Sequence, residues 1–290
     1  MRIGVVLDAP AGPELLREAR AADRRGLDLV WVPVLDRDGT ARSTTVAAAS
    51  LAPLARSIRV VVEVPGSRHP VELAEELAVT DQLLSGRLGA AGTASAGGEL
   101  GEMLDVLRLG LRSRPFSHSG RRWAFPTKAG DGSQGLIEVT PSPAQIEFPL
   151  ALLGSDQLGL ALDRGLAVVG REQDDAATML ELWLAFERAA GNAAGRHPRA
   201  ALRSLPLPVP ATLDAEVGSV VSQLAVERDL WGMDVAIVRL PSKLSSRQRL
   251  EAIELLATRV RPRLQGTELP AELIASWSTP LLADSEAAHP

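Results

Sequence analysis

The chain has no cysteine, no tyrosine and only four histidines among its 290 residues. Without cysteine it forms no disulfide, no thiolate metal site and no cysteine nucleophile. The histidines lie far apart in the sequence, without the spacing that metal ligands usually have, and we interpret each as a surface, capping or core residue. They are His69, His118, His197 and His289. We therefore expect no metal site.

Long apolar runs and concentrated basic charge are missing too. No segment reaches the roughly 18 apolar residues that a membrane helix needs. The opening "MRIGVVLDAP" is too short for a signal sequence and is typical of a first strand. The net charge is −5 and the basic residues are scattered, which argues against binding nucleic acid or an anionic membrane. These features predict a soluble protein of the cytoplasm.

The sequence does contain a repeated alternation of strand-length apolar runs and segments of helical period. The runs are "IGVVLDA", "LDLVWVPV", "IRVVVEV", "RLGAAGT", "LALLGSD", "LAVVG", the region "RAALRSLPLPV" and "MDVAIVRLP". With 290 residues and 46% hydrophobic content, the chain can bury a sizeable core. Eight strand-helix units predict a (β/α)8 barrel, with a doubly wound open sheet as the main alternative.

The alternation is interrupted once, between Pro115 and Pro149, where short strands and Gly/Pro turns predict an irregular insertion. Later helices are expected over 157–164, 174–190, 214–231 and 245–264. We predict one barrel domain over 1–264, followed by a C-terminal tail over 265–290.

The segment "RHPVELAEELAVTDQLLSGRL" forms the third predicted helix, with Pro70 in its first turn and Gly86 at its end. It resembles the third-helix signature of the luciferase-like monooxygenases. Three further stretches agree in order: "EARAADRRGLDLVWV", "PFSHSGRRWAFP" and "GMDVAIVRLP…RLEAIELLATRVRPRL". The resemblance covers nearly the whole chain. It implies a barrel with an insertion, a dimer, and FMN or a deazaflavin coenzyme at the C-terminal ends of the strands.

The end of the third strand is the first candidate site. Here the resemblance places a backbone bend that supports the coenzyme ring, at Glu63 and Val64. A glutamate inside a valine run is unusual. The residues alone leave two interpretations open, an ion pair with Arg59 or Arg68 and a role in the site.

The stretch "LALLGSDQLGLAL" is the second candidate, because a strand ends at Gly154 and Ser155 and a helix follows. Amide groups at a helix start, with a serine hydroxyl, can bind a phosphate, although an ordinary N-cap explains the same residues. The resemblance places the coenzyme phosphate in this region. Gly92 and Thr93, with Ser95 after them, follow the fourth strand and would line the side of the site.

The chain also departs from the family pattern. Pro33, Val34 and Leu35 stand where relatives often have a site histidine, and "GAAGTASAGG" lacks the arginine often found after the fourth strand. Two function classes stay open. One is a flavin- or deazaflavin-dependent oxidoreductase or monooxygenase acting on an unidentified small organic substrate. The other is a non-catalytic barrel with a decayed cofactor pocket, acting as a binding or partner protein.

The predicted second helix, "STTVAAASLAPLA", is rich in alanine and has few charges. Small side chains allow two helices to approach closely, although the same face could pack on the barrel instead. With the resemblance, this pattern predicts a homodimer formed through the early helices.

Overall fold

The computed structural model describes residues 1–94, 99–126, 135–174, 176–190, 199–205, 207 and 214–264. Ser95, His197, His289 and the predicted tail over 265–290 lie outside these ranges. Within them no helix is long and apolar enough to cross a membrane. The same ranges contain no group of three or more His, Cys, Asp or Glu side chains that could hold a metal ion.

Eight parallel strands close into a barrel, which confirms the predicted fold and rules out the open sheet. In chain order the strands are β1 (Arg2–Val6), β2 (Leu29–Val32), β3 (Arg59–Pro65), β4 (Leu88–Thr93), β5 (His118–Ser119), β6 (Ala124–Phe125), β7 (Leu150–Leu153), β8 (Ala167–Gly170), β9 (Ala200–Ser204) and β10 (Val235–Arg239). The barrel order is β1-β2-β3-β4-β7-β8-β9-β10, and β10 pairs with β1. Both faces of each barrel strand are covered, which explains the nearly continuous apolar runs.

Helices connect the barrel strands and cover their outer face. They are α1 (Pro13–Arg24), α2 (Thr44–Leu51), α3 (Pro70–Leu83), α4 (Leu100–Gly110), α5 (Leu158–Arg164), α6 (Ala176–Ala190), α7 (Asp214–Trp231), α8 (Ser246–Leu255) and α9 (Arg261–Leu264). The prediction of one continuous helix over 245–264 is wrong in one respect, because a π-helical turn over Leu256–Val260 separates α8 from α9. Ser245 caps α8 reciprocally with Gln248.

The core has two parts because strand side chains alternate between the barrel interior and the helix layer. Trp31, Val61 and Ala91 belong to a small interior cluster, and Trp31 is completely buried. A larger cluster fills the space between the strands and the helices and includes Val62, Val64 and Ala90. This alternation decides which strand-end residues can face a ligand at the barrel mouth.

The predicted insertion contains the short antiparallel hairpin β5–β6, while residues 127–134 lie outside the described ranges. Glu102, in the first turn of α4, binds this hairpin. Its carboxylate accepts the amide of Trp123 at 2.8 Å and that of Arg122 at 3.0 and 3.2 Å, and it lies 3.3 Å from His118 Nε2. Because α4 begins near the end of β4, the hairpin is held beside the C-terminal end of the barrel.

The ends of α3 have local structural explanations. His69 is the N-cap residue, and its Nδ1 accepts the Glu72 amide at 3.5 Å. Asp81, completely buried near the other end, accepts the amides of Leu88 at 3.2 Å and Gln145 at 3.1 Å. Asp81 therefore interrupts the apolar stripe of α3 in order to bind the start of β4 and the returning insertion.

Candidate functional site

The C-terminal ends of the parallel strands form the barrel mouth, where loops from several strands meet. In the β3–β4 register, Val64 lies opposite Gly92, and Pro65 lies opposite Thr93. On the other side of β4, Gly92 lies opposite Leu152 of β7. The fold therefore brings the two predicted strand-end groups and the Gly154 turn to three adjacent strands.

These residues do not all face the mouth. Val64 belongs to the cluster under the helices. A Cβ atom added to Gly92 would lie 3.2 Å from Leu100 and 3.3 Å from Leu152, on the same outer side. Glu63 and Thr93 are one position out of phase and share the inner face with Ala91. Thus Val64 and Gly92 contribute backbone to the mouth, while Glu63 and Thr93 contribute side chains.

Glu63 is held in place by two donors from the second strand-loop unit. Trp31 Nε1 donates to Glu63 Oε1 at 2.7 Å, and the amide of Val34 donates to Oε2 at 3.0 Å. Glu63 forms no ion pair with Arg59 or Arg68 among the described contacts, so that interpretation is wrong. Arg68 pairs with Glu76 at 2.5 Å, and Arg59 lies four residues earlier on β3, about 13 Å away along an extended strand.

A carboxylate occupies the predicted phosphate cradle after β7. Ser155 donates from its hydroxyl to Asp174 Oδ1 at 2.9 Å and from its amide to Oδ2 at 3.3 Å. The amide of Arg171 also donates to Asp174 Oδ2, at 2.7 Å. The alternative of an ordinary N-cap is wrong, because no side-chain cap bond is made at the start of this helical turn or of α5.

Arg171 contributes a positive charge that the sequence interpretation missed. Its guanidinium lies over Gly154, where an added Cβ atom would be 2.4 Å from Arg171 Cζ. It also pairs with Asp156 at 2.8 Å and donates to the Leu153 carbonyl at 3.2 Å. Gly154 adopts a φ of 107°, which favours glycine and permits this close approach. The missed signal is an arginine directly after the strand "AVVG".

The opposite side of the mouth contains a network of ion pairs. Arg239, at the end of β10, pairs with Asp8 at 3.4 Å and contacts Glu172, which also accepts the Ser204 hydroxyl at 2.8 Å. Arg203 pairs with Glu227 at 2.9 Å between β9 and α7.

Arg249 of α8 extends this network into the protein interior, where its side chain is completely buried. Its guanidinium contacts Glu18 at 2.6 Å and Asp8 at 2.5 Å. Burial opposes the charge on Arg249, but its bond to Glu18 and the two nearby carboxylates outweigh burial and raise the pKa of the guanidinium. The Arg249 cluster therefore connects α8 to β1 and α1 through charges.

A protein-family model described as Luciferase-like monooxygenase matches residues 2–231. The chain belongs to the luciferase-like monooxygenase family. Comparison of this luciferase-like chain with curated protein sequences gives no match.

Several solved structures share the luciferase-like fold with this chain. Monooxygenase RslO1 from Streptomyces bottropensis has a TM-score of 0.73 at 16% identity, covering 90% of this chain and 99% of its own. The oxygenating constituent of 3,6-diketocamphane monooxygenase from Pseudomonas putida, in complex with FMN, has a TM-score of 0.68 at 16% identity, covering 91% and 98%. The coenzyme F420 dependent tetrahydromethanopterin reductase from Methanopyrus kandleri has a TM-score of 0.62 at 13% identity, covering 91% and 99%.

In this luciferase-like barrel, the hydrogen-bond donors after β7 fit an anionic oxygen, because they already bind the Asp174 carboxylate. The charges fit a phosphate less well. Arg171 contributes one positive charge, whereas Asp156 and Asp174 contribute two negative charges within the same group of contacts. A coenzyme phosphate therefore fits the Ser155 cradle only in place of the Asp174 carboxylate, since two anions at one set of donors repel each other.

Proposed function

We propose that this luciferase-like barrel is a flavin- or deazaflavin-dependent oxidoreductase or monooxygenase acting on a small organic substrate. The observation that carries the proposal is the anion cradle after β7. Two amides and one hydroxyl bind a single carboxylate there, beside the Arg171 guanidinium. Related folds support the cofactor class, since one neighbour is in complex with FMN and another is coenzyme F420 dependent.

In this proposal the residues of the chain bind and orient, and the bound coenzyme supplies the redox chemistry. Ser155 and Arg171 would hold the coenzyme phosphate in place of the Asp174 carboxylate. Glu63 and Thr93 line the inner side of the mouth, and Trp31 and Val34 fix the Glu63 carboxylate there. Pro33, Val34 and Leu35 follow β2, so this strand end brings no histidine to transfer a proton. Positioning and exclusion of water are the contributions we assign to the protein.

The test is a titration of the purified protein with FMN and with a deazaflavin coenzyme, followed by fluorescence. Ser155→Asp should weaken binding more than tenfold, because it removes the hydroxyl hydrogen bond, worth about 1.5–3 kcal/mol, and adds repulsion. Ser222→Asp, at an exposed position of α7, is the matched control and should leave the affinity unchanged.

One arrangement favours the second function class, a non-catalytic barrel. Asp174 fills the cradle, and Asp8, Arg239 and Glu172 form ion pairs across the mouth. If neither the wild type nor Asp174→Asn binds a flavin or deazaflavin at millimolar concentration, the oxidoreductase proposal fails and the protein is better described as a binding or partner protein.

A further inference from the structure

A cleft of about 470 Å³ lies at the opposite end of the barrel from the mouth. Its walls come from the last turn of α4, the loop that follows it, and the segment that leads into β7. Leu150, the first residue of β7, belongs to the lining and places the cleft where the strands begin. It is therefore separate from the site discussed above, and its size is within the range usual for small-ligand pockets.

Unpartnered positive charge is the first notable property of the cleft. Arg112 and Arg114 are exposed, and their guanidinium groups make no hydrogen bond or ion pair to any described residue. Arg108 donates to the Arg164 carbonyl at 2.9 Å, and burial together with the positive charge of Arg112 lowers its pKa. Among the described residues of the lining, Glu147 is the one acidic side chain. An overall acidic protein, with a net charge of −5, thus has a locally positive cleft.

The second property is an apolar surface between these charges. Phe116 is buried at 6% exposure and Phe148 is half-buried, so aromatic side chains line the cleft. Ile146 also belongs to the lining and is 96% exposed. An isolated exposed apolar side chain is common on protein surfaces. Ile146, however, lines the same cleft as two phenylalanines and two arginines, so together they form an amphipathic surface.

The backbone contributes as well. Ser113, between Arg112 and Arg114, has a φ of 56°, a left-handed conformation that residues other than glycine rarely adopt. This turn ends α4 beside the cleft and places both arginines in its lining.

From the free cations, the apolar lining and the volume, we propose that this cleft is a second binding site, for small organic anions with an aromatic or aliphatic body. Arg112 and Arg114 would bind the anionic head, a carboxylate, sulfonate or phosphate, through charge-assisted hydrogen bonds. Phe116, Phe148 and Ile146 would cover the apolar body. The proposal does not depend on the coenzyme site.

The test uses the full chain and the fluorescent probe 8-anilinonaphthalene-1-sulfonate, which combines a sulfonate with an apolar ring system. We expect saturable binding. The double variant Arg112→Gln/Arg114→Gln should lose about tenfold or more in affinity, because two charge-assisted bonds are lost. The matched control Arg20→Gln/Arg56→Gln removes two exposed arginines far along the chain from the cleft and should bind the probe as the wild type does.

Two further measurements keep the result specific. Thermal unfolding of both double variants should match the wild type, so that a loss of affinity reflects the cleft and not the fold. Ser155→Asp, which alters the mouth, should leave probe binding unchanged. Equal affinity for the probe in both double variants would overturn the proposal. Non-saturable binding, or a loss of probe binding in Ser155→Asp, would overturn it as well.

Discussion

Asp174 determines, at the scale of one residue, whether the cradle after β7 is free for a ligand. Its carboxylate accepts three hydrogen bonds from groups that are suited to bind a phosphate oxygen. Any phosphorylated ligand must first displace it, and the cost of displacement lowers the apparent affinity.

We predict that Asp174→Asn binds FMN about tenfold more tightly than the wild type, a gain of roughly 1.4 kcal/mol, because a neutral amide does not repel a phosphate. Riboflavin has no phosphate, so its affinity should change much less. Paired titrations with both ligands measure the difference. Asp163→Asn, at an exposed position of α5, is the control for a general change in charge. A parallel gain for riboflavin and FMN would contradict the proposed place of the phosphate.

Arg249 is the second decisive residue, and we predict that Arg249→Met destabilises the protein by about 3–5 kcal/mol. The reason is that the buried Glu18 carboxylate loses its cation and the buried Asp8 carboxylate is left with Arg239, at 3.4 Å. Urea unfolding measures the change. Arg247→Met, two residues away, removes a side chain that is 90% exposed and should cost under about 0.5 kcal/mol. Similar values for the two variants would show that the buried network does not stabilise the fold.

Among the elements, the hairpin β5–β6 is anchored by the Glu102 carboxylate. We predict that Glu102→Gln lowers the free energy of unfolding by about 1–3 kcal/mol at neutral pH, because charged acceptors bind backbone amides more strongly than neutral ones. Burial opposes its ionisation, but the Trp123 and Arg122 amides and His118 outweigh burial and hold the pKa of Glu102 below 4.5.

The pH dependence follows from that direction. The stabilisation by ionised Glu102 is complete above its unfolded-state pKa and is lost as the pH falls through the lower folded-state pKa. The difference between wild type and Glu102→Gln should therefore be largest near pH 7 and decrease at pH values below about 4.5, since model-peptide glutamate titrates near there. Urea unfolding across this range provides the measurement. A difference that grows toward acid would contradict the proposed anchor.

The elements of the barrel were predictable from sequence because each barrel strand is buried on both faces and several helices have local end signals. "RVVVEVP" and Pro70 to Gly86 are examples. The contacts of the site were much less predictable. Ser155 and Asp174 are 19 residues apart, and Arg249 and Asp8 are 241 apart, so their meeting depends on the closure of the barrel. Periodicity alone also did not show that Val64 and Gly92 face the helices, because the inward phase of a strand is set by packing.

At the scale of the whole molecule, we propose a homodimer formed through α2 and α3. Three large apolar side chains on these neighbouring helices are exposed: Val46 at 68%, Val79 at 43% and Leu83 at 54%. The alanine-rich α2 leaves room for close packing against a second copy. Sedimentation at micromolar concentration should show twice the 30.7 kDa mass of the chain.

We predict that the double variant Val79→Glu/Leu83→Glu sediments as a monomer, because dimerisation would bury its new charges without partners. Val226→Glu changes a valine of α7 that is 50% exposed and should leave the assembly intact. A wild type that sediments only as a single chain would exclude the dimer.

The Arg249 cluster has a consequence for the order in which the protein is made. The ribosome synthesises β1 and α1 before β10 and α8, yet the buried Asp8 carboxylate receives its cations, Arg239 and Arg249, from β10 and α8, and buried Glu18 receives Arg249 from α8. One edge of β1 also stays unpaired until β10 appears. The N-terminal part of a nascent chain therefore has two uncompensated charges and an open strand edge, which disfavour early closure into a smaller, incorrect barrel. The same cluster that stabilises the finished protein thus delays closure until the last unit is present.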